Sequence, residues 1–266
     1  MPVDEPSVRE LFDLRGKVAL VTGGTGYLGA AMARALAEAG AQVVISSRQQ
    51  LLASQAAAEL PPVDAGAHLG IQLDHMDEAS LEAGFAAAVD QLGQIDVLVN
   101  NGHEPLGNDW STVTGEQFTR QLANATGYFL LARLLRNHVV QRQASGSVIF
   151  VGSMYGIVGS YPDAYAGICA ASPVAYQALK ASVVQMTRHL AVYWADDQVR
   201  VNCLSPGPFP QPQAPAELVK RLKQKSPMRR MGKPHELKGA VVFLASEASS
   251  YLTGHNLLID GGWSAW

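Results

Sequence analysis

"VTGGTGYLG", residues 21–29, sits between two different periodicities, and that junction decides the fold. The apolar run Lys17-Val18-Ala19-Leu20 leads into it. Beyond it Leu28, Met32 and Leu36 repeat every fourth residue, the apolar stripe of a helix. Glycine lets a backbone turn sharply and approach a ligand closely, and the free N–H groups of a helix start attract phosphate. Strand, Gly-rich turn and helix together predict a nucleotide-phosphate cradle from Gly23, Thr25, Gly26, Tyr27, Leu28 and Gly29. Taken alone the turn is also compatible with a tight strand–helix connection.

The same alternation continues along the chain. Strand-like runs occupy 17–22, 41–46, 67–73, 95–100, 146–151, 199–205 and 256–260. Helical patterns lie between them near 28–39, 49–59, 78–92, 115–141, 175–195 and 234–247. Near-continuous apolar strands imply burial on both sheet faces, and strand–helix alternation implies right-handed crossovers. The expected fold class is α/β, a doubly wound parallel sheet of about seven strands with helices on both faces. Residues 1–13 read as an N-terminal tail and 14–266 as one domain. The irregular segments 157–173 and 206–226 follow strand ends, where open α/β sheets bind ligands, and are assigned as substrate-side loops.

Composition narrows the function. The 266 residues are 48% hydrophobic with a formal net charge of −3, which describes a globular chain without the basicity of a nucleic-acid binder. Cys169 and Cys203 are too few for a disulfide framework, so a reducing compartment is expected. The first twenty residues carry seven charged side chains, Asp4, Glu5, Arg9, Glu10 and Asp13 among them, and no signal-peptide core, and no run reaches the roughly 18 apolar residues of a membrane span. A cytoplasmic protein with no membrane partner, no nucleic-acid partner and a small-molecule substrate is expected. The histidines show no metal-ligand spacing, and "PHEL" (234–237) lacks the second histidine of a zinc-protease helix.

Residues 47 and 48 bear on the nucleotide. An acid after the second strand of such folds holds a ribose 2′-hydroxyl, whereas a base accommodates a 2′-phosphate. Here the strand ends Ser46-Ser47-Arg48, so NADP is favoured over NAD as the cofactor. "YQALK" sets Tyr176 and Lys180 four apart on one helix face. A free tyrosine, with pKa about 10, is a poor acid–base catalyst near neutrality, and a nearby ammonium favours its phenolate.

Further motifs make that pair specific. "DVLVNNG" (96–102), "NATGYF" (124–129), "VIFVGSMYG" (148–156), "YQALK" (176–180), "VRVNCLSPG" (199–207) and "FLASEASSYLTGHNLLIDGG" (243–262) occur in this order. The chain thereby resembles the short-chain dehydrogenase/reductase family from about residue 14 to residue 263. The resemblance implies a Rossmann-like fold and an NAD(P)-dependent oxidoreductase interconverting a secondary alcohol and a ketone. It implies Tyr176 as proton donor or acceptor, Ser153 bonded to the substrate oxygen, and Lys180 tuning Tyr176 and holding the nicotinamide ribose. It further implies Asn124 anchoring a water that links Lys180 to solvent. Asp74 matches the position contacting adenine; Asn100, Gly102, Pro206 and Gly207 match other cofactor-side positions. A homotetramer or dimer through the helices near 115–141 and 175–195 and the tail ending at Trp266 is also implied.

This sequence departs from the family in three places. The glycines follow Thr22-Gly23-x-x-Gly26-x-x-Gly29, which resembles the extended, sugar-nucleotide branch, whereas chain length and the C-terminal signature fit the single-domain branch. Ser153 and Tyr176 lie 23 apart, about ten more than is usual, with Tyr155, Tyr161 and Tyr165 in or near the insertion. None of the three is followed by lysine at the fourth position. "NNGH" puts His103 where relatives carry glycine, either beside the cofactor and titrating near neutral pH or facing water. His103, Tyr155, Tyr161, Tyr165 and Phe209 are the candidate substrate contacts, for a sugar-like or hydroxy-acid substrate. The basic run Lys220–Lys233 reads as a solvated helix face, with anion steering as its alternative. A sugar-nucleotide epimerase or dehydratase, and a non-catalytic NADP sensor, remain the alternative functions.

Overall fold

Alternate residues of the central strands feed two separate cores. Leu20, Val44, Leu98, Val148 and Phe150 face one layer, and Ala19, Val21, Ile45, Val97, Val99 and Ile149 face the other. This two-residue period explains why the strand runs read as continuously apolar: neither sheet face meets water. The computed structural model describes residues 5–171 and 173–266; residues 1–4 of the expected tail and Ser172 of the expected loop lie outside the described residues.

The strands are β1 (Val18–Thr22), β2 (Gln42–Ser47), β3 (Leu69–Gln72), β4 (Val97–Asn100), β5 (Gly146–Val151), β6 (Val199–Pro206) and β7 (Asn256–Ile259). They pair in the order β3-β2-β1-β4-β5-β6-β7, all parallel. The helices are α1 (Val8–Leu11), α2 (Tyr27–Glu38), α3 (Gln50–Ala58), α4 (Glu78–Leu92), α5 (Gly115–Gln141), α6 (Pro162–Tyr165), α7 (Val174–Tyr193), α8 (Ala216–Lys225) and α9 (Lys238–Ala245). Helices α4, α5 and α7 supply one core; α2 and α9 supply the other.

Three elements differ from expectation. The N-terminal tail forms α1, closed by a capping box between Ser7 and Glu10, and Phe12 packs its ring near Phe243. Four residues of the 157–173 segment form α6, and ten of the 206–226 segment form α8. Charged α8 carries its helical signal in Leu218, Val219 and Leu222 and in the Glu217–Arg221 pair one turn apart.

Strand order reverses between β1 and β4, which opens a crevice at their C-terminal ends. The turn after β1 is packed too tightly for side chains. A Cβ on Gly29 would stand 2.2 Å from the Gly23 carbonyl oxygen and 2.7 Å from the Asn101 amide nitrogen. Gly23 itself has φ of 59°. Gly29→Ala is therefore expected to destabilise the protein by about 1–3 kcal/mol through overpacking, measured by urea unfolding. An unchanged midpoint would mean that α2 shifts freely on the sheet.

Candidate active site

The crevice is held together at its floor. The Thr22 hydroxyl accepts from the backbone N–H groups of Asn101 (2.8 Å) and Gly102 (2.7 Å). The Asn101 amide donates back to the carbonyls of Thr22 (3.0 Å) and Gly23 (3.2 Å). Two cavities open above this clasp and share Asn101 and His103 as walls.

The first, of about 290 Å³, is lined among others by Gly23, Thr25, Gly26, Ser47, Arg48, Asp74 and Gly102. Gly26 caps α2 without any side-chain hydrogen bond, so the first-turn N–H groups of that helix face the cavity side uncapped. Arg48 is exposed and makes no ion pair among the described residues. Tyr27, Gly29 and Asn100 line neither cavity. Gly29 is needed for packing, and the buried Asn100 amide donates to the Tyr128 carbonyl at 2.9 Å.

The second cavity, of about 270 Å³, gathers Leu28, Ser153, Tyr176, Lys180, Pro206, Gly207 and Phe209 at the ends of β5 and β6. Ser153 caps the 3₁₀ turn Met154–Gly156, its hydroxyl accepting from the Tyr155 N–H at 3.1 Å. Tyr176 rises from the first turn of α7 beside it. Burial pushes the Tyr176 phenol up, and its bond with the Ser153 hydroxyl pulls partly back. Lys180, one turn on, is 4% exposed. Its ammonium donates to the Val151 carbonyl at 2.7 Å and lies 5.4 Å and 5.7 Å from the ring centroids of Tyr128 and Tyr176. Burial lowers its pKa to about 8. The ammonium lies over the tyrosine ring, while burial, the larger effect on Tyr176, favours its neutral phenol.

The family model described as enoyl-(acyl carrier protein) reductase matches residues 26–264. A 2,5-dichloro-2,5-cyclohexadiene-1,4-diol dehydrogenase of Sphingobium indicum is 35% identical over 94% of this chain and 97% of the relative. Sorbose reductase of Schizosaccharomyces pombe is 33% identical over 95% and 98%. A short-chain type dehydrogenase/reductase from Mycobacterium marinum superposes with a TM-score of 0.89 at 35% identity, covering 98% of this chain and all of that one. Gluconate 5-dehydrogenase of Burkholderia cenocepacia, solved with NADP and tartrate, superposes at 0.87 with 27% identity over 98% and 100%. The chain belongs to the short-chain dehydrogenase/reductase family. It is accordingly an oxidoreductase acting on CH–OH groups with a nicotinamide cofactor.

Two of the site residues are fixed by neighbours from distant segments. The Asn124 amide oxygen accepts from His75 (2.7 Å) and the Glu104 N–H (2.8 Å), and its nitrogen donates to the carbonyls of Glu104 (3.2 Å) and Gln121 (2.9 Å). All four bonding positions of the side-chain amide are filled, so it clamps the 103–104 segment onto α5. His103 is half-buried on the wall of both cavities and, against expectation, does not titrate near neutrality: burial, helped by the charge of Lys180, drives its pKa to about 3. Its neutral ring packs edge-on to Tyr176 at 5.5 Å.

The inserted segment packs with α8 as a surface lid over a small core of Met154, Leu222, Met231 and Trp263. Arg221 donates to the carbonyls of Ala166 (2.8 Å) and Asp163 (3.3 Å), and Lys225 pairs with Asp163 at 2.6 Å. The basic run thus spends Arg221 and Lys225 on the lid, Lys220 on Glu217 and Arg230 on Glu236. Tyr161 packs edge-on to Trp263 and lies under Lys225, inside the lid's own core. A larger groove of about 1110 Å³ at the β3 edge is lined mainly by small residues and backbone of α3, α4 and the 62–72 segment, away from these groups.

Sequence reasoning missed Tyr128, His75, Gln121 and Glu104. Their side chains are ordinary core or loop types; only tertiary contact with Lys180, Asn124 and His103 gives them meaning. Lys180 also yields a stability prediction. Below about pH 8 the folded chain carries a buried charge. Above it the folded chain sheds a proton that the unfolded chain keeps up to the ordinary lysine value, so this group's contribution to stability rises with pH across that window. Lys180→Met is expected to be more stable than the wild type near pH 7 by about 1–3 kcal/mol, with the gap shrinking towards pH 10, in urea melts at both pH values. A destabilised variant near pH 7 would overturn this.

Proposed function

We propose that the protein interconverts a secondary hydroxyl and a ketone on a polyhydroxylated, sugar-like or hydroxy-acid substrate, with NADP as its favoured cofactor. The observation that carries the reading is the convergence of the Tyr176 phenol, the Ser153 hydroxyl and the Lys180 ammonium in one cavity. That cavity shares Asn101 and His103 as walls with the one bearing Arg48. The sugar and polyol names among the relatives support the substrate class.

The residues present fit a nicotinamide dinucleotide. Gly23, Thr25 and Gly26 with the uncapped α2 N–H groups suit its pyrophosphate, Ser47 and Arg48 a 2′-phosphate, Asp74 the adenine, and Pro206, Gly207 and Lys180 the nicotinamide half. When bound, the cofactor gives or takes the hydride. The chain's own residues handle the oxygen and its proton. The buried, protonated Tyr176 is poised to donate its proton to a ketone oxygen and takes one back from a carbinol in the reverse direction. Ser153 bonds the same oxygen where negative charge develops. Lys180 supplies positive charge, and Phe209, seated on Gly232, lines the same cavity. The exposed Val192 and Tyr193 of α7 and the exposed Trp266 support a homo-oligomer.

Tyr176→Phe is expected to cut turnover about 10²–10⁴-fold while NADPH still quenches intrinsic fluorescence with similar affinity. Retained activity would move the acid–base role to another group. Arg48→Asp is expected to weaken NADPH binding about 10–100-fold with little change for NADH, by the same titration; an unchanged preference would refute the phosphate role.

A further inference from the structure

Lys180 is an ammonium held without a counter-ion. One of its N–H groups donates to the Val151 carbonyl at 2.7 Å, and no carboxylate pairs with it among the described residues. The groups around it come from distant segments: Val151 ends β5, Cys203 lies in β6, His103 follows β4, Tyr176 stands one turn back on α7, and Tyr128 belongs to α5. Burial raises the Cys203 thiol and lowers His103, so both are neutral near pH 7 and neither balances the charge.

What remains is aromatic. The ammonium lies over the Tyr128 ring, 5.4 Å from its centroid. At that distance the negative face of a ring attracts a cation, and the attraction grows when both are out of water. Tyr128 is fully buried and held from several sides. Its backbone carbonyl accepts from the Asn100 amide at 2.9 Å. Its ring stacks on His75, with centroids 6.0 Å apart, and tilts against Phe150 at 6.4 Å. His75 is bonded in turn to Asn124, one turn back on α5. The Tyr128 hydroxyl has no hydrogen-bond partner among the described residues. A buried tyrosine usually finds one, so the ring face, and not the hydroxyl, is the part that acts here.

We infer that Tyr128 is a positioning residue for the reaction: its ring face keeps the Lys180 ammonium charged and seated beside Tyr176, which lets Tyr176 give up its proton during alcohol oxidation. This rests on the roles of Tyr176 and Lys180 proposed above and adds a residue that lines neither cavity.

The test changes the charge of the ring face while keeping the shape of the ring. Full-length Tyr128→Phe is compared with full-length protein carrying a ring-trifluorinated phenylalanine at the same position, whose fluorines withdraw the negative charge from the face. Lys180 is titrated by NMR in protein isotope-labelled at the lysine ε-carbons, its signal assigned by its loss in Lys180→Met. Tyr128→Phe is expected to keep the Lys180 midpoint, and the fluorinated ring to lower it by about one pH unit. A less stable ammonium favours the Tyr176 phenolate less, so ionisation of Tyr176 then needs a higher pH. In NADP-linked oxidation of sorbitol and cyclohexanol, the fluorinated ring is expected to move the acid limb of the kcat profile up by about half to one pH unit. That cuts kcat about three- to tenfold at pH 7 with KM little changed, while Tyr128→Phe, the conservative variant, stays within about twofold of the wild type. Equal urea midpoints of the two variants show that the fold is intact. Equal Lys180 titrations in the two variants, an equal drop in both, or a lowered Lys180 midpoint with an unmoved kcat profile overturn the inference. Loss of the wild-type reaction on both alcohols counts against the proposed function instead, and the titration still decides whether the ring holds the charge.

Discussion

The bonds between Thr22 and the 101–102 segment hold the sheet together where its two halves diverge. Parallel strands leave N–H and carbonyl groups unpaired at their ends, and buried groups of this kind need partners. Here one hydroxyl takes two N–H groups from the end of β4, and one amide returns two bonds to the end of β1. The clasp draws the Gly23 turn against Asn101, which leaves no space for a side chain at Gly29. It also fixes the wall shared by the two cavities, so the phosphate-binding end and the reacting end are held in one register.

Lys180 shows stability yielding to chemistry. Its one hydrogen bond among the described residues is to a carbonyl, and two aromatic faces, the buried Cys203 thiol and the His103 ring lie near it. None of these fully replaces water around an ammonium, which is why its pKa falls. The fully buried Tyr128 ring gives the charge a polarisable face and stacks in turn on His75, the partner of Asn124. The lysine, the 103–104 segment and the start of the long helix α5 are therefore coupled through one aromatic side chain.

The lid follows a different logic. Surface ion pairs contribute little individually, yet the Arg221 bonds to the Asp163 and Ala166 carbonyls and the Lys225–Asp163 pair converge on the α6 turn. Beneath them Met154, Leu222, Met231 and Trp263 form a small third core with Tyr155, Tyr161 and Tyr165 at its edge. Local patterning hid this unit. A four-residue helix has no period to detect, and the charges of α8 read as a solvated face until their partners are known. The seven strands were legible because burial on both faces writes itself into every position, whereas a lid is apolar only where its two pieces meet.

The amino-acid sequence by itself determined the α/β alternation, the Gly-rich turn, the family, and the pairing of Tyr176 with Lys180, since each depends on residues close in sequence or on several motifs in a set order. Tertiary structure decided the state of those groups. It made His103 neutral, filled every bonding position of Asn124, raised the Tyr176 phenol and joined Tyr155 to Tyr165. The physical reason is that desolvation and hydrogen bonding depend on neighbours brought from distant segments, which no local spacing encodes.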